Sequence, residues 1–184
     1  MSPLRVTGMG EDHGSASGSW ENSYVEFVRA RAQALRGTAY LLCGDWYRAE
    51  DVTQIALTKL YLAWRRIERR GSVDAYARRV LVRAFLDDTR RPWRRERPTA
   101  APPEHEAPSG RVDDRIDLGR VLAGLPPTQR AVVVLRYWED LGIAETAEVL
   151  RVSEGTVKSS ASRGLTALRT ALREPSQPAA GQEQ

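Results

Sequence analysis

Residues 141–173 read LGIAETAEVLRVSEGTVKSSASRGLTALRTALR, and this stretch decides the fold of the C-terminal part of the chain. Its apolar residues recur at three- and four-residue spacing, which is typical of amphipathic helices. We predict a short helix over Leu141–Leu150, a tight turn over Arg151–Ser153 and a longer helix over Glu154–Leu172. Two helices joined by so short a turn resemble a helix-turn-helix.

The residue types around the turn support this interpretation. Ala147 is small enough for close helix packing, and Val152 can fill the turn. Ser153 is placed to cap the second helix by accepting a hydrogen bond from a backbone N–H. The cap and the turn favour a helix-turn-helix, although patterning alone also allows an ordinary surface helix in a bundle.

The second helix of this motif has two different faces. Its inward face is predicted to consist of Val157, Ala161, Leu165, Leu168 and Leu172. Its outward face carries short hydrogen-bonding groups and cations, at Thr156, Lys158, Ser159, Ser162, Arg163 and Thr166. In a major groove, lysine and arginine reach guanine or phosphate, and serine or threonine can serve either. The helix therefore suits DNA recognition.

Composition limits the class of protein. The 184 residues have a formal net charge of +4 and are 41% hydrophobic, which predicts a folded protein and allows a polyanionic partner. Cys43 is the single cysteine, so we expect no internal disulfide, no zinc site and no cofactor. No stretch approaches the roughly 18 apolar residues of a membrane span, and Met1–Ser19 lacks a secretory signal. We expect a cytoplasmic protein without a membrane partner.

Helical periodicity without strand-like alternation predicts an all-α fold of two small helical domains joined by a flexible linker. Proline residues and low apolar content mark the linker, which has too little apolar surface to become ordered. The predicted divisions are a disordered tail at 1–19, a first domain at 20–96, a Pro-rich linker at 97–112, a second domain at 113–173 and a disordered end at 174–184.

Three helices are predicted in the first domain. An apolar stripe from Tyr24 to Leu41 ends near Gly44, and Asp45 is placed to cap the second helix. That helix should bury Ala49, Val52, Ile55, Ala56, Leu60 and Ala63. It should expose Glu50, Asp51, Gln54, Thr58 and Tyr61. Ser72 can cap a third helix, with Val73, Ala77, Val80, Leu81, Ala84 and Phe85 on its apolar face.

Positive charge is concentrated in the window from Arg65 to Arg97, which holds twelve arginines and five acidic residues. Arginine matches phosphate oxygens, and aromatic rings can stack on unpaired bases. The rings within or beside this window belong to Trp64, Tyr76, Phe85 and Trp93. This mixture suits opened DNA, but a salt-bridged face with core aromatics is an equally weighted alternative. Phe85 is expected in the core, and Tyr76 fits either reading.

Catalysis is not indicated. The obvious titratable candidates are His13, His105, Cys43 and the pair Asp87 and Asp88. Both histidines fall in segments predicted to be disordered, and adjacent helical residues diverge by about 100°. The two aspartates are expected to balance nearby arginines, and Cys43 to be a small buried residue.

Four stretches together resemble the extracytoplasmic-function sigma factors, the compact class with only the second and fourth sigma regions. The similarity spans about residues 20 to 172. The stretches are Ala49–Gln54 with Leu60–Trp64; Tyr76–Arg91; Leu125-Pro126 with Gln129-Arg130 and Leu135–Tyr137; and Ser153–Ser159 with Ser162-Arg163.

The resemblance implies binding to core RNA polymerase and promoter DNA. The second helix would dock on the coiled coil of the largest subunit, and the second domain on the flap of the other large subunit. The implied polymerase-binding residues are Glu50, Asp51, Gln54, Tyr61 and Arg130, with Leu125, Leu135 and Tyr137 as weaker candidates. An anti-sigma protein is a further partner that the resemblance admits.

The resemblance also assigns two DNA sites. The residues implied at the opened minus-10 element are Arg69, Arg70, Ser72, Tyr76, Arg79 and Arg83. Those implied at the duplex minus-35 element are Ser153, Thr156, Lys158, Ser159, Ser162 and Arg163. Ile55, Arg83 and Ser160 depart from the residues common in the family, so base preferences do not transfer. The alternative function is a stand-alone helix-turn-helix regulator, against which the separate polar helix and the Arg/aromatic domain argue.

Overall fold

The computed structural model describes residues 15–69, 73–90 and 117–173, with side chains from residue 19 onward. Within these ranges every regular element is helical, which confirms the predicted all-α class. The predictions for Arg70, Ser72 and Trp93, for the linker and for the C-terminal tail lie outside the described residues. The helices are α1 Ser15–Cys43, α2 Trp46–Glu68, α3 Val73–Thr89, α4 Leu118–Ala123, α5 Pro127–Val133, α6 Ile143–Leu150 and α7 Glu154–Arg173, with a π-helical turn Val134–Trp138 after α5.

The junction between α1 and α2 has the predicted chemistry. Gly44 adopts a left-handed conformation with φ of 70°, and its N–H donates to the carbonyl of Tyr40 at 2.7 Å. Asp45 then caps α2, because its carboxylate accepts a hydrogen bond from the N–H of Arg48 at 2.8 Å. The chain therefore reverses over two residues, and α1, α2 and α3 pack as the first domain.

The core of this domain lies between the three helices. Its largest fully buried side chains include Leu42 of α1, Val52 and Leu60 of α2, and Leu81 and Phe85 of α3. Phe85 is thus a core residue, as expected. Removal of these side chains from water is the main favourable contribution to folding of the domain.

Two predictions on α2 are wrong. Ile55 was expected inward but is 37% exposed, because the buried stripe passes through Val52, Thr53 and Ala56. Thr53 tolerates burial because its hydroxyl donates to the carbonyl of Ala49 at 2.7 Å. Trp64 was considered as a ring for stacking on bases, but it is 3% exposed.

The helix-turn-helix prediction is confirmed in the second domain. Between α6 and α7, Arg151 adopts a left-handed conformation with φ of 57°, and Val152 donates its N–H to the carbonyl of Ala147 at 3.1 Å. Ser153 caps α7, since its hydroxyl accepts the N–H of Thr156 at 3.1 Å. Val152 packs against a small core of Val132, Ala147, Val157 and Ala161.

Two details of this domain differ from the prediction. The first helix of the motif begins at Ile143 rather than Leu141, and Leu141 lies in the connection that precedes it. Leu172 is 46% exposed instead of buried. It lies in the last turn of α7, where its neighbours Ala171 and Arg173 are exposed as well.

The two domains pack against each other, a contact that the sequence analysis did not predict. Helix α1 touches α4, α5 and the π-helical turn, and α3 touches α5 and α6. Arg130 of α5 is buried in this contact and donates to the carbonyl of Leu42 at 2.6 Å. Among the described helices, none combines the length and the apolar composition needed to cross a membrane.

Candidate nucleic-acid interface

The outward face of α7 is a continuous polar surface. Lys158 and Ser162, and likewise Ser159 and Arg163, are four residues apart and therefore neighbours on one side of the helix. Lys158, Ser162 and Arg163 are exposed, and Ser159 is partly exposed. The hydroxyl of Ser159 donates to the carbonyl of Thr156 at 3.1 Å, which leaves its oxygen lone pairs available as acceptors.

The opposite face of α7 fixes the helix on the domain. Val157, Ser160, Gly164 and Leu168 are all buried. Ser160 is 6% exposed, and its burial excludes it from a groove contact made in this arrangement. Base contacts by α7 therefore depend on the exposed residues of the other face.

The start of α7 is also accessible. Ser153 and Thr156 are both exposed, and their hydroxyl oxygens lie 2.9 Å apart. Backbone N–H groups at a helix N-terminus carry partial positive charge and attract phosphate oxygens. This end of α7 can therefore contact a DNA backbone while the residues that follow reach the bases.

The basic face of α3 lies against the second domain. Nη2 of Arg79 is 3.0 Å from Oε1 of Glu148 on α6, and Nε of Arg78 is 2.8 Å from Oε2 of Glu139. Nε of Arg79 is buried and has no hydrogen-bond partner among the described residues. Arg83 is partly buried, and Tyr76 is partly exposed on the same helix. Arg78 and Arg79 are therefore paired with carboxylates of the other domain.

The electrostatics around Arg83 reflect this crowding. Burial lowers the pKa of Arg83, and the neighbouring positive charges of Arg151 and Arg79 lower it further. Arg151 belongs to the turn of the helix-turn-helix, so cations of the two domains face each other here. Arg69 is exposed at the end of α2, outside this cluster.

The outer face of α2 combines polar and apolar groups. Asp51, Gln54 and Tyr61 are exposed, whereas Glu50 is partly buried. Gln54 donates to Glu50 at 3.0 Å, and Glu50 also pairs with Arg36 at 2.7 Å. Gln54 and Glu50 therefore form an ordered polar group on this face.

Exposed apolar residues on α2 were missed in the sequence analysis. Tyr47 is 42% exposed and Leu62 is 80% exposed, and both flank the wrongly placed Ile55. The exposed apolar residues could have been identified from helical spacing, because one face of α2 passes through positions 47, 51, 54, 58 and 61 or 62. The ring of Tyr61 is held against Trp20 and Tyr24, with centroid distances of 5.3 and 5.1 Å.

Arg130 is placed differently from the other polymerase-binding candidates. It is 7% exposed, and its guanidinium donates to the carbonyls of Leu42, Ala123 and Leu125. Burial lowers the pKa of Arg130, although arginine stays charged at neutral pH. Leu125 and Leu135 are also buried, whereas Tyr137 is exposed. In this arrangement Arg130 is not accessible to another protein.

Two of the titratable candidates, Cys43 and Asp88, have structural roles, whereas His13 and His105 lie outside the described residues. Cys43 is buried, and this burial raises the pKa of its thiol to about 12. Asp88 is buried and pairs with Arg48 at 3.0 Å, in keeping with the predicted balance of arginine charge. In the parts of the chain that the structure describes, no group of three His, Cys, Asp or Glu residues is arranged to hold a metal ion.

Comparison with known families adds to this geometry. Residues 27–95 match the model of sigma-70 region 2, and residues 115–168 match that of sigma-70 region 4. The RNA polymerase sigma-E factor of Streptomyces coelicolor is 40% identical over 156 residues, which cover 81% of this chain and 85% of that protein. The chain belongs to the extracytoplasmic-function sigma factors. It therefore acts in promoter-specific initiation of transcription with RNA polymerase.

A further relative and two solved structures of similar fold extend the comparison. The SigM sigma factor of Mycobacterium tuberculosis is 34% identical, over 77% of this chain and 72% of that protein. Among solved structures, the sigma factor RpoE of Bartonella quintana, crystallised with the anti-sigma factor NepR, has a TM-score of 0.67 at 23% identity. It covers 83% of the sigma factor described here and 98% of its own chain. CnrH, solved with the cytosolic domain of CnrY, has a TM-score of 0.61 at 19% identity, over 88% of this chain and 94% of its own.

Proposed function

We propose that this sigma factor uses three separate surfaces to start transcription: α2 to bind core polymerase, α3 to hold opened minus-10 DNA, and α7 to read the minus-35 duplex. The observation that carries the proposal is the pairing of an exposed helix-turn-helix face with a second, arginine-rich helix in another domain. A stand-alone regulator needs only the helix-turn-helix face. The factor would act in the cytoplasm by binding, without covalent chemistry of its own.

The face of α7 supports the minus-35 assignment. Lys158 and Arg163 present their charges beside the hydroxyls of Ser159 and Ser162, on the side opposite the buried residues of the helix. Such a row of donors and acceptors matches base edges and flanking phosphates of a major groove. Ser153 and Thr156 would contact the backbone at the end of the recognition helix.

The basic surface of α3 supports the minus-10 assignment. Arg79 and Arg83 lie one helical turn apart, with Tyr76 a turn before Arg79. Arginine neutralises phosphates, and an aromatic ring can stack on a base that has left the duplex. Arg69, exposed at the end of α2, would contact the same strand. The assignment of Arg70 and Ser72 to that strand follows from the family resemblance.

The mixed surface of α2 supports docking to a helical partner. Ile55 and Leu62 supply apolar area that is exposed in the free protein, and Asp51 and Gln54 supply the polar rim. Protein interfaces commonly combine an apolar centre with such a rim. We assign this surface to the coiled coil of the largest polymerase subunit, and Arg130 to the flap contact. An anti-sigma protein would compete for the same exposed apolar residues of α2.

The decisive experiment is run-off transcription with purified core polymerase and a genomic DNA library, with and without the protein. Discrete new transcripts that depend on the protein are expected, and their start sites give the promoter sequence. The variant Leu62→Asp, in which a charge replaces an apolar side chain that is 80% exposed, tests the α2 surface in the same assay. This variant should lose both core binding and transcripts.

DNA binding by the free protein distinguishes a sigma factor from a stand-alone regulator. A specific duplex shifted by the free protein at nanomolar concentration, without any binding to core polymerase, would replace the proposal with a stand-alone regulator. The sigma assignment instead predicts weak binding by the free protein. Linking two modest DNA contacts through the polymerase raises their effective concentration, so specificity emerges in the assembled complex.

A further inference from the structure

The contact between the two domains is made by specific polar pairs. Glu139, which follows the π-helical turn, accepts a hydrogen bond from the hydroxyl of Thr38 at 2.5 Å and pairs with Arg78 at 2.8 Å. One carboxylate of the second domain thus bridges α1 and α3 of the first. Its side chain is only 17% exposed, so solvent weakens this pair less than it would a surface pair.

Arg130 ties the second domain to the end of α1. It donates to the carbonyl of Leu42 in α1 and to the carbonyls of Ala123 and Leu125 around the end of α4. Carbonyls at helix C-termini lack intrahelical partners and carry partial negative charge. Its guanidinium also lies over the ring of Phe85, 5.6 Å from the centroid. Separation of the domains would break the Leu42 hydrogen bond and the Phe85 contact together.

A third group of contacts joins α1 to the start of α4. The hydroxyl of Tyr40 lies 2.7 Å from both carboxylate oxygens of Asp117, just before α4. The ring of Tyr40 passes so close to Gly119 that no side chain at this position could be accommodated without movement. The absence of a Cβ at Gly119 is therefore what allows α1 and α4 to approach.

This interface covers residues that the proposed function assigns to DNA and polymerase. Glu148, itself 70% exposed, pairs with Arg79, Arg83 is partly buried beside the second domain, and Arg130 is inaccessible. We propose that the interdomain contact is an autoinhibitory latch, in which Glu139 fastens α3 to the second domain through Arg78 and Glu148 pairs with Arg79 in place of a DNA phosphate, and that the factor must open to bind core polymerase and promoter. The masking rests on the proposed function, whereas the latch itself rests only on the contacts.

Repulsion between cations at the contact opposes closure. Arg79, Arg83 and Arg151 bring three positive charges together where the domains meet, and these charges repel one another. Opening relieves this repulsion, and a nucleic-acid backbone supplies the anions that Glu148 provides in the closed form. A binding partner that prefers the open state shifts the protein from the closed state towards the open one.

The test is the double variant Glu139→Gln/Glu148→Gln, with Glu21→Gln/Glu26→Gln on the exposed side of α1 as a control of equal charge change. Gln keeps the size of each side chain but removes the ion pairs. We expect a larger radius of gyration by small-angle X-ray scattering for the first variant only. We also expect its affinity for core polymerase to rise by about threefold to tenfold, because apparent affinity scales with the fraction of competent molecules.

Gly119→Ala tests the same latch without a change of charge. The added methyl group meets the ring of Tyr40, while alanine favours the helical conformation of α4. The same increase in radius and in core affinity is expected, with unchanged helicity by circular dichroism. If both variants keep the wild-type radius and the wild-type core affinity, the latch is wrong. If no form of the protein binds core polymerase but the radius increases, the latch stands and the proposed function fails.

Discussion

Gly164 of α7 lies directly against Val133 of α5, so close that a Cβ atom at position 164 would stand 2.7 Å from Cγ2 of Val133. Real Cβ atoms do not approach other heavy atoms to this distance. The recognition helix is therefore seated on the second domain at a point where only glycine fits. Its orientation depends on this contact as much as on the capped turn that precedes it.

Gly164→Ala should destabilise the protein. Overpacking costs about 1–3 kcal/mol, which exceeds the roughly 0.5–1 kcal/mol that alanine gains over glycine within a helix. Gly155→Ala is the matched control in the same helix, because a Cβ atom at position 155 would lie 3.8 Å from Oγ of Ser153, an ordinary van der Waals contact. Thermal unfolding followed by circular dichroism should show a lower Tm for the first variant and an equal or higher Tm for the second. A higher Tm for Gly164→Ala would contradict the packing described.

Lys158→Ala/Arg163→Ala should weaken promoter binding by the polymerase complex without affecting core binding. Loss of a base or phosphate contact typically costs about 1–3 kcal/mol, so affinity should fall at least tenfold. Arg169→Ala removes an exposed charge farther along α7 and serves as the control. The measurement is a mobility shift with promoter duplex and reconstituted complex. Loss of core binding instead would mean that the recognition helix has been misassigned.

Arg79→Ala/Arg83→Ala should impair promoter opening more than formation of the closed complex. These side chains are assigned to the single strand, which exists only after melting. Permanganate reactivity of thymines near minus 10 should fall, while duplex binding by the complex is largely retained. Arg29→Ala, an exposed change on α1, is the control. Normal thymine reactivity in the double variant would remove α3 from the melting step.

Ile55→Ala should weaken core binding and lower stability less than a core substitution does, because Ile55 is 37% exposed and has only part of its surface packed. Leu60→Ala provides the contrast, since its buried side chain should cost about 2–5 kcal/mol. Binding to core and urea unfolding, measured on both variants, separate the docking surface from the core. Unchanged core binding in Ile55→Ala would mean that Ile55 is not part of the docking site.

The buried thiol of Cys43 predicts a pH dependence. Because burial raises its pKa in the folded protein to about 12, above the ordinary thiol value of 9.0, the folded state disfavours the thiolate. Its contribution to stability is complete below pH 9 and is lost progressively as the pH rises towards 12. Cys43→Ala should therefore flatten the loss of stability in this alkaline range, measured by urea unfolding at several pH values. Identical slopes for both proteins would exclude Cys43 as the cause.

Much of the local structure followed from the sequence because its causes are local. The Asp45 cap, the left-handed Gly44 and the Ser153 cap each depend on neighbouring residues, and each was predicted. The prediction for Ile55 was wrong because the sequence pattern does not determine which side of α2 is buried. Thr53 can be buried as well, since its hydroxyl donates to a carbonyl of its own helix.

The interdomain contact could not be predicted in the same way. Arg130 and Leu42 are 88 residues apart, and Thr38 and Glu139 are 101 residues apart. The spacing of residues within either segment does not indicate which residue of the other domain it contacts. The sequence also does not show whether the side chain of an arginine is buried or exposed. The family resemblance named the surfaces of the proposed function, but it could not show that Arg79 and Arg130 have partners within the chain itself.

Tyr40 and Asp117, which are hydrogen-bonded across the contact, belong to the same chain, and this has a consequence for dosage. Closure joins two parts of one molecule, so the closed fraction does not depend on how many copies of the protein the cell holds, whereas capture by polymerase depends on the supply of free enzyme. A factor with such a latch responds to competition among factors for a limited pool of polymerase. Increased synthesis alone would add closed molecules in proportion, and the transcriptional output would be set by how much polymerase is left to open them.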